Sequence, residues 1–276
     1  MMNNLPPFYV IAVNYHAGSY LPDFIASLAP LPFLKRLIIV NHSPEESLAA
    51  LTAPFPLQVI NQKNAGYGAG LNRGLREVGE KNAVALLCNP DLVLATPAKV
   101  AEALAYLSAH PRVGCLIPSS VTFEGQSILA CREFYNWKTL LASRIGFFRR
   151  FFAGPYREHL LLDAPGDRPL EVDWGYGAAM FYRVAAFWGA PAFDERFFLY
   201  MEEVDLCYRL WQAGLAVVSY PEVLFRHHSQ RDSQRRWRFL RYHLVSLGKF
   251  IWKYRGLPQR QPLEPAKTPE SNASSN

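Results

Sequence analysis

The 276-residue sequence predicts an α/β protein built on a mostly parallel sheet with helices on both faces. Three observations support this. Five short runs in the first 120 residues are nearly all apolar, as strands covered on both faces must be. Segments with helical starts separate them, giving a βαβαβ rhythm. Hydrophobic residues make up 50% of the chain and charged residues only 19%, which excludes a disordered or fibrous protein and leaves a globular one.

The apolar runs are Phe8 to Val13, Leu37 to Val40, Leu57 to Ile60, Ala83 to Cys88 and Val113 to Ile117. After the second, Ser43-Pro44-Glu45-Glu46 offers an N-cap, a proline at the first helical position and a nearby glutamate, and Thr96-Pro97 repeats the first two elements. Both predict helix starts. Beyond Pro118 the chain becomes aromatic and basic, then turn-rich from Ala164 to Pro169, then strand-like from Leu170 to Trp174. From Arg235 to Tyr254 the apolar residues Trp237, Leu240, Leu244, Leu247 and Ile251 recur at helical spacing, with Arg235, Arg236, Arg238, Lys249 and Lys253 between them. The stretch Gln259 to Asn276 is polar and proline-containing, and disorder is expected there.

Charge is unevenly placed. The net charge of +6 comes from 29 basic and 23 acidic residues. Arg226 to Arg255 holds nine basic residues and one acid, Arg132 to Arg157 six and one, and the remainder is net −7. A partner for the basic character belongs at those two segments. No apolar run approaches the roughly 18 to 20 residues that span a bilayer, and the N-terminus lacks a basic region followed by a long apolar stretch. The expectation is a cytoplasmic protein, neither secreted nor membrane-spanning. Cys88, Cys115, Cys131 and Cys207 are too widely spaced for a C-x-x-C motif, and buried reduced thiols are expected.

The most informative segment is Asn64-Ala65-Gly66-Tyr67-Gly68-Ala69-Gly70-Leu71-Asn72-Arg73-Gly74, which leaves the third apolar run and enters a helix. Small residues at such a junction let a ligand approach the backbone, and a helix N-terminus supplies amide donors. A dinucleotide fingerprint is excluded, because it would follow the first strand and read G-x-G-x-x-G, whereas Asn14-Tyr15-His16 follows it here.

Four features in order then resemble one family. The segment just quoted fits N-x-G-[FY]-x-x-G-x-N-x-G. Val13-Asn14-Tyr15 closes the first strand. Leu86-Leu87-Cys88-Asn89-Pro90-Asp91 resembles an "LLNPD" version of a D-x-D metal motif. Gly177-Ala178-Ala179-Met180 followed by Phe193 to Cys207 is similar to "FDExFFxYxEDxDLC". Together, over roughly residues 8 to 230, they resemble the inverting family 2 glycosyltransferases of GT-A fold, in their rhamnosyltransferase-like branch. The resemblance implies a nucleotide-sugar-binding half (1–120), an acceptor-binding and catalytic half of the same domain (121–230), a basic amphipathic helix (231–258) and a tail (259–276).

It also implies roles. The ends of the first two strands hold the nucleotide, which brings in Asn14, Tyr15 and Asn41, the last standing where the family has an Asp. Asn64, Gly66, Asn72, Asn89 and Asp91 complete the nucleotide-sugar site. Asp91, with Asn89 replacing the first acid, would hold Mg²⁺ or Mn²⁺ with the donor's diphosphate. A histidine after the last core strand joins it, and of His227 and His228 the first is favoured, with Ser233 following.

Inversion in one displacement needs one general base, and Glu202, Glu203 and Asp205 are candidates. A helix from near Glu202 to before Gly214 puts Glu203, Leu206, Cys207 and Leu210 on an inward face and lets Asp205 pair with Arg209. Glu203 is the favoured base, aligned with an Asp of the family; Glu202 can share the task. Trp174, Tyr176 and Gly177 suit contact with the acceptor or sugar, since aromatic rings beside glycines accommodate an apolar sugar face.

The expected substrates are a nucleoside-diphosphate sugar, a deoxy-sugar such as rhamnose on dTDP, and a saccharide or polyprenyl-diphosphate-linked acceptor, in building a cell-surface polysaccharide. The aromatics and arginines of Phe134 to Arg157, with the C-terminal helix, suit peripheral contact with an anionic membrane. Simple packing of that helix on the body is the alternative. Nucleic acid is not expected, since no recognition motif is present. Two rivals remain. A sugar nucleotidyltransferase would show a basic Gly-rich loop after the first strand, which Asn14 to Ser19 lacks; a non-catalytic binding member would explain why Asn41, Asn89 and Glu203 each depart from Asp.

Overall fold

The computed structural model describes residues 5–228 and 237–260. In chain order, β1 (Phe8–Asn14), α1 (Leu21–Leu28), β2 (Leu34–Asn41), β3 (Leu57–Asn61) and α2 (Tyr67–Leu75) are followed by β4 (Val84–Cys88), β5 (Leu92–Leu94), α3 (Ala98–Ala109) and β6 (Val113–Thr122). Next come β7 (Ser127–Ile128), β8 (Cys131–Arg132), α4 (Trp137–Arg144), α5 (Ala153–His159), β9 (Leu170–Glu171) and β10 (Trp174–Gly175). β11 (Ala179–Arg183), α6 (Glu202–Gln212), β12 (Ala216–His227) and α7 (Trp237–Tyr254) complete the described chain.

The five apolar runs form the sheet as expected. Its order is β3-β2-β1-β4-β11-β6-β12-β5. β1 pairs in parallel with β2 and β4, β2 with β3, and β6 with β12, while β11 runs antiparallel between β4 and β6. Every residue of β1 and β4 is buried, which is why neither alternates polar with apolar. The carboxyl ends of β1, β2, β3 and β4 open on one edge, and the loops that carry chemistry leave from there.

Several local expectations are corrected. Ser43-Pro44-Glu45-Glu46 is a turn rather than a helix start. The Ser43 amide donates to Asn41 Oδ1 (3.0 Å) and its hydroxyl accepts from His16 N (2.9 Å), so the serine is taken up by strand ends instead of a cap. Thr96 precedes α3 without capping it, because its hydroxyl bridges Glu222 O and Leu224 N on β12. Leu170 to Trp174 is not one strand. β9 pairs with β12 and β10 with β8, and the chain bends between them where the Asp173 carboxylate accepts from Phe134 N at 2.6 Å.

The C-terminal helix packs on the body through only the C-terminal half of the expected stripe, Leu247 and Ile251, together with Phe250. Leu247 and Phe250 are buried, whereas Trp237 is 85% exposed and Leu240 and Leu244 are also exposed. Gln259 and Arg260, expected in the tail, touch the body: Gln259 donates to Tyr135 O at 2.8 Å and Arg260 lies 3.3 Å from Asp173. The expected helix start at Arg235, Ser233 and the tail beyond Arg260 lie outside the described residues. All four cysteines are free; Cys131 is only half-buried.

Candidate active site

Three asparagines close three neighbouring parallel strands. Asn14 pairs with Asn41 and Asn41 with Asn61 in strand register. Their side chains join: Asn14 Nδ2 donates to Asn41 Oδ1 and Asn41 Nδ2 to Asn61 Oδ1, each at 2.9 Å. Glu46 enters the same place, accepting from Asn14 Nδ2 at 3.0 Å. Asn14 and Asn41 are fully buried. Tyr15 is 46% exposed beside the His16 ring and remains available.

The loop before α2 sits against the segment before α6. Gly66 has φ +112°, and a Cβ there would lie 2.6 Å from Phe198 O, so only glycine fits. Its amide donates to Asn64 Oδ1 at 3.0 Å, and Tyr67 N donates to Phe198 O at 3.0 Å. Asn72 is spent on the protein: its amide group donates to Phe193 O (2.8 Å) and Glu195 Oε1 (3.0 Å) and accepts from Phe193 N (2.9 Å). Asn72 thereby braces α2 against the acidic segment.

Asp91 follows the turn after β4, with Asn89 N held by Ala178 O at 2.9 Å. β5 then pairs with the end of β12, bringing His227 beside Leu92. His227 Nε2 lies 3.3 Å from Asp91 Oδ1, a buried oxygen without a hydrogen-bond partner. His228 turns elsewhere, its amide on Asp91 O at 3.0 Å and its ring stacked on Phe123 at 3.7 Å. Among the described residues no group of three or more His, Cys, Asp or Glu side chains converges on one point.

Across the cleft, α6 starts with Glu202 and Glu203. Each has a buried Oε2 without a hydrogen-bond partner. Burial pushes Glu203 up to about 7, and burial followed by the charge of Glu203 holds Glu202 well above the carboxylate range. Two consecutive left-handed residues, Tyr200 (φ 68°) and Met201 (φ 69°), lead into them, a costly backbone that persists only where the surroundings enforce it. The enforcement comes from α7, where Ser246 donates to Leu199 O at 2.8 Å and the His243 ring stacks on Tyr200 at 5.1 Å. Asp205, the third candidate base, is excluded: it is fully buried and bound by Arg209 (2.8 Å), Tyr254 (2.8 Å) and Lys253.

Tyr67 ties the two acidic places together. Its hydroxyl donates to Gly177 O at 2.8 Å, and its phenol is raised first by burial and then by Cys88, Glu202, Asp91 and Glu203. A Cβ on Gly177 would touch Glu203 Cβ and the Tyr67 ring, both at 3.5 Å. Tyr176 is exposed and lies beside Gly177. Trp174 is 3% exposed and its indole N–H donates to Glu133 O at 2.9 Å, so it supports Tyr176 from behind and offers a sugar little surface.

No protein-family model matches the chain. The chain is 30% identical over 242 residues to the N-acetylglucosaminyl-diphospho-decaprenol L-rhamnosyltransferase of Mycobacterium tuberculosis (strain CDC 1551 / Oshkosh), an alignment covering 82% of this chain and 77% of the relative. The chain belongs to the rhamnosyltransferase family. Rhamnosyltransferase WbbL of Escherichia coli strain K12 is 32% identical over 90 residues, covering 32% of this chain and 34% of that protein. Among solved structures, GalNAc-T7 with UDP, GalNAc and Mn²⁺ superposes with a TM-score of 0.59 at 15% identity, covering 82% of this chain and 44% of that one. The mannosyltransferase PcManGT from Pyrobaculum calidifontis, with GDP-Man and Mn²⁺, gives 0.58 at 14% identity, covering 91% and 65%. The chain thus spans under half of the first structure and just under two thirds of the second, and both likenesses establish the GT-A fold.

In this rhamnosyltransferase the residues that escaped the sequence reading are those whose partners come from far along the chain. Tyr67 was visible only as part of the small-residue segment, and its contact with Gly177 spans 110 positions. Glu46 lay in what looked like a helix cap. Arg132, Tyr135, Tyr200 and His243 looked like parts of aromatic and basic stretches, and nothing in their spacing singled them out.

Proposed function

We propose that the protein transfers a deoxy-sugar, with inversion, from a nucleoside-diphosphate donor to a polyprenyl-diphosphate-linked saccharide. One observation carries this reading: Glu203, a half-buried glutamate pushed up to about 7, and Asp91, which lies beside His227, both act on the Tyr67 phenol, whose hydroxyl is bound to Gly177 O. The rhamnose and the lipid-linked acceptor are those of the mycobacterial relative, an N-acetylglucosaminyl-diphospho-decaprenol L-rhamnosyltransferase. Both parts of the cleft lie at the carboxyl edge of the sheet, where open α/β folds take ligands.

The chain's own residues do the following. Glu46, Tyr15 and the backbone around the asparagine row receive the base and ribose. The loop from Asn64 to Tyr67 brings its backbone against the donor. Glu203, once ionised, accepts the proton of the acceptor hydroxyl as that oxygen attacks the sugar carbon; a group near 7 suits proton transfer at neutral pH. Glu202 stays protonated, so the base is not opposed by a second full negative charge. Asp91 Oδ1 and His227 Nε2 fit a divalent cation as a two-ligand edge that leaves the remaining positions to diphosphate oxygens and water. Bound there, Mg²⁺ or Mn²⁺ would neutralise charge on the leaving diphosphate.

Peripheral membrane contact belongs to the same reading. Trp137, Phe147 and Phe151 beside α4, and Trp252 on α7, are exposed, and Lys138, Arg149 and Arg150 lie among the first group.

The test is a panel of UDP-, GDP- and dTDP-sugars by thermal shift with Mn²⁺, followed by transfer assays on the ligands that bind. One nucleotide class should raise the melting temperature, and Asp91→Asn or exhaustive chelation should abolish transfer. Transfer undiminished by chelation would remove the cation from Asp91, and no response to any donor would refute the function.

A further inference from the structure

Two arginines on the acceptor side carry their charge without an acid. Arg132 is 8% exposed, and its guanidinium donates to Leu129 O (2.5 Å), Cys131 O (2.8 Å) and the Tyr176 hydroxyl (2.8 Å), all neutral. Arg144, exposed at the end of α4, reaches only His243, whose Nδ1 is 3.2 Å away. Burial, and then the charge of Arg144, push His243 down to about 4, so it too is neutral at physiological pH. Among the described residues neither arginine forms an ion pair. Arg132, withdrawn from water with only neutral partners, costs free energy that an anion would offset, and the exposed Arg144 has its charge free to meet the same anion.

The two cations flank the base. The Tyr135 hydroxyl, pushed up to about 12 by burial, also feels Arg144, Tyr176, Glu203 and Arg132. The Tyr200 phenol is raised by burial, then by Glu202 and Glu203, and is lowered by Arg144. Both phenols therefore lie within electrostatic reach of Glu203 and of Arg144. Around Arg144 in the chain, Trp137, Leu141, Ile145, Phe147 and Phe151 are exposed. Glu203 thus adjoins the Tyr135 and Tyr200 rings, these adjoin Arg144 directly or through His243, and Arg144 is flanked in sequence by the exposed apolar residues.

We propose that Arg144, backed by Arg132, seats the diphosphate of a prenyl-diphosphate-linked acceptor. Guanidinium forks match diphosphate oxygens in pairs, and this order of neighbours matches the order of such a molecule: sugar hydroxyl at Glu203, saccharide against Tyr176 and Tyr135, diphosphate at the arginines, prenyl chain over the α4 side. The assignment rests on the transferase reading above and adds to it the part of the acceptor that is recognised. Arg132 and Arg144 are positioning residues here; neither touches the reacting atoms.

The test uses the full chain, tryptophan fluorescence, and farnesyl diphosphate or farnesol in neutral detergent with EDTA. Farnesyl diphosphate should bind at least tenfold tighter than farnesol. Arg144→Gln, an exposed change that keeps the melting temperature, should weaken the diphosphate at least tenfold and leave farnesol unaltered. Arg132→Lys, which keeps the charge but loses the fork, guards against misfolding and should weaken it less. Wild-type affinity in Arg144→Gln would overturn the proposal. So would loss of farnesyl diphosphate binding in Asp91→Asn, which would place the probe in the donor site. So would an Arg144→Gln protein that retains farnesyl diphosphate but loses phosphatidylglycerol vesicles, which would assign the arginine to lipid headgroups. Because this binding needs neither donor nor turnover, failure of every nucleotide sugar to react would count against the proposed function alone.

Discussion

Glu203 holds its proton to higher pH than a free carboxyl because its Oε2 is enclosed without a donor. The sign of the consequence is fixed. A carboxyl whose pKa rises on folding, here from 4.5 to about 7, stabilises the protein below the lower value and loses that contribution as pH rises through the upper one. Glu203→Gln, always neutral, should match the wild type in stability to urea unfolding near pH 4.5 and exceed it at pH 8, by on the order of 1–3 kcal/mol. The same variant should lose transfer by about 10²-fold or more, in keeping with a general base. Equal pH profiles of stability for the two proteins would sink the assignment. At this scale the sequence was legible for groups whose role is local: Glu203 at the head of a helix, Asp91 after Asn89-Pro90. At Asn14, Asn41 and Asn72 it could not show the partners, because residue type does not reveal that an amide is hydrogen-bonded to asparagine and glutamate side chains 20 to 123 positions away.

At the scale of elements, α7 acts as a strut for α6. Lys253 reaches both Asp205 and Asp194, the latter at 2.8 Å; Tyr254 donates to Asp205 at 2.8 Å, and Lys249 donates to Arg196 O at 2.6 Å. Lys253→Met leaves the buried Asp205 short of a cation and should cost about 3 kcal/mol by urea unfolding. It should also lower turnover, because the strained Tyr200-Met201 entry to Glu202 is braced from the same helix. Unchanged stability in Lys253→Met would refute the strut. Helical periodicity found α7 and, in Leu247 and Ile251, part of its seam, but not the polar part, Ser246, Lys249, Lys253 and Tyr254, which a count of apolar positions ignores. The opposite failure occurred at Ser43, where cap-like residues met a neighbouring Asn41 that offered the serine amide a better partner.

Over the whole molecule, the parallel core was readable because its strands are buried on both faces and announce themselves as unbroken apolar runs. The insertion of β11 between β4 and β6 was not, since pairing across more than 60 intervening residues leaves no local trace. The uneven charge has a spatial counterpart: Arg144 on α4 meets His243 on α7, so the two basic segments touch there. No helix among the described residues is long and apolar enough to cross a membrane. If the exposed Trp137, Phe147, Phe151 and Trp252 meet lipid as proposed, the intact protein should float with anionic vesicles at low salt and be released by high salt. Failure to float at low salt would leave those rings unexplained by lipid.

The asparagine row under the donor pocket has a direction. Each amide gives its hydrogens onward, Asn14 to Asn41 and Asn41 to Asn61, so hydrogen-bond polarity runs one way from β1 to β3. Such a relay carries no formal charge and does not titrate. An aspartate at the middle position, able only to accept when ionised, would interrupt the flow: either Asn61 turns its amide around, or the acid keeps its proton. The amide at position 41 is therefore matched to its two neighbours, and the three asparagines act as a single polar unit.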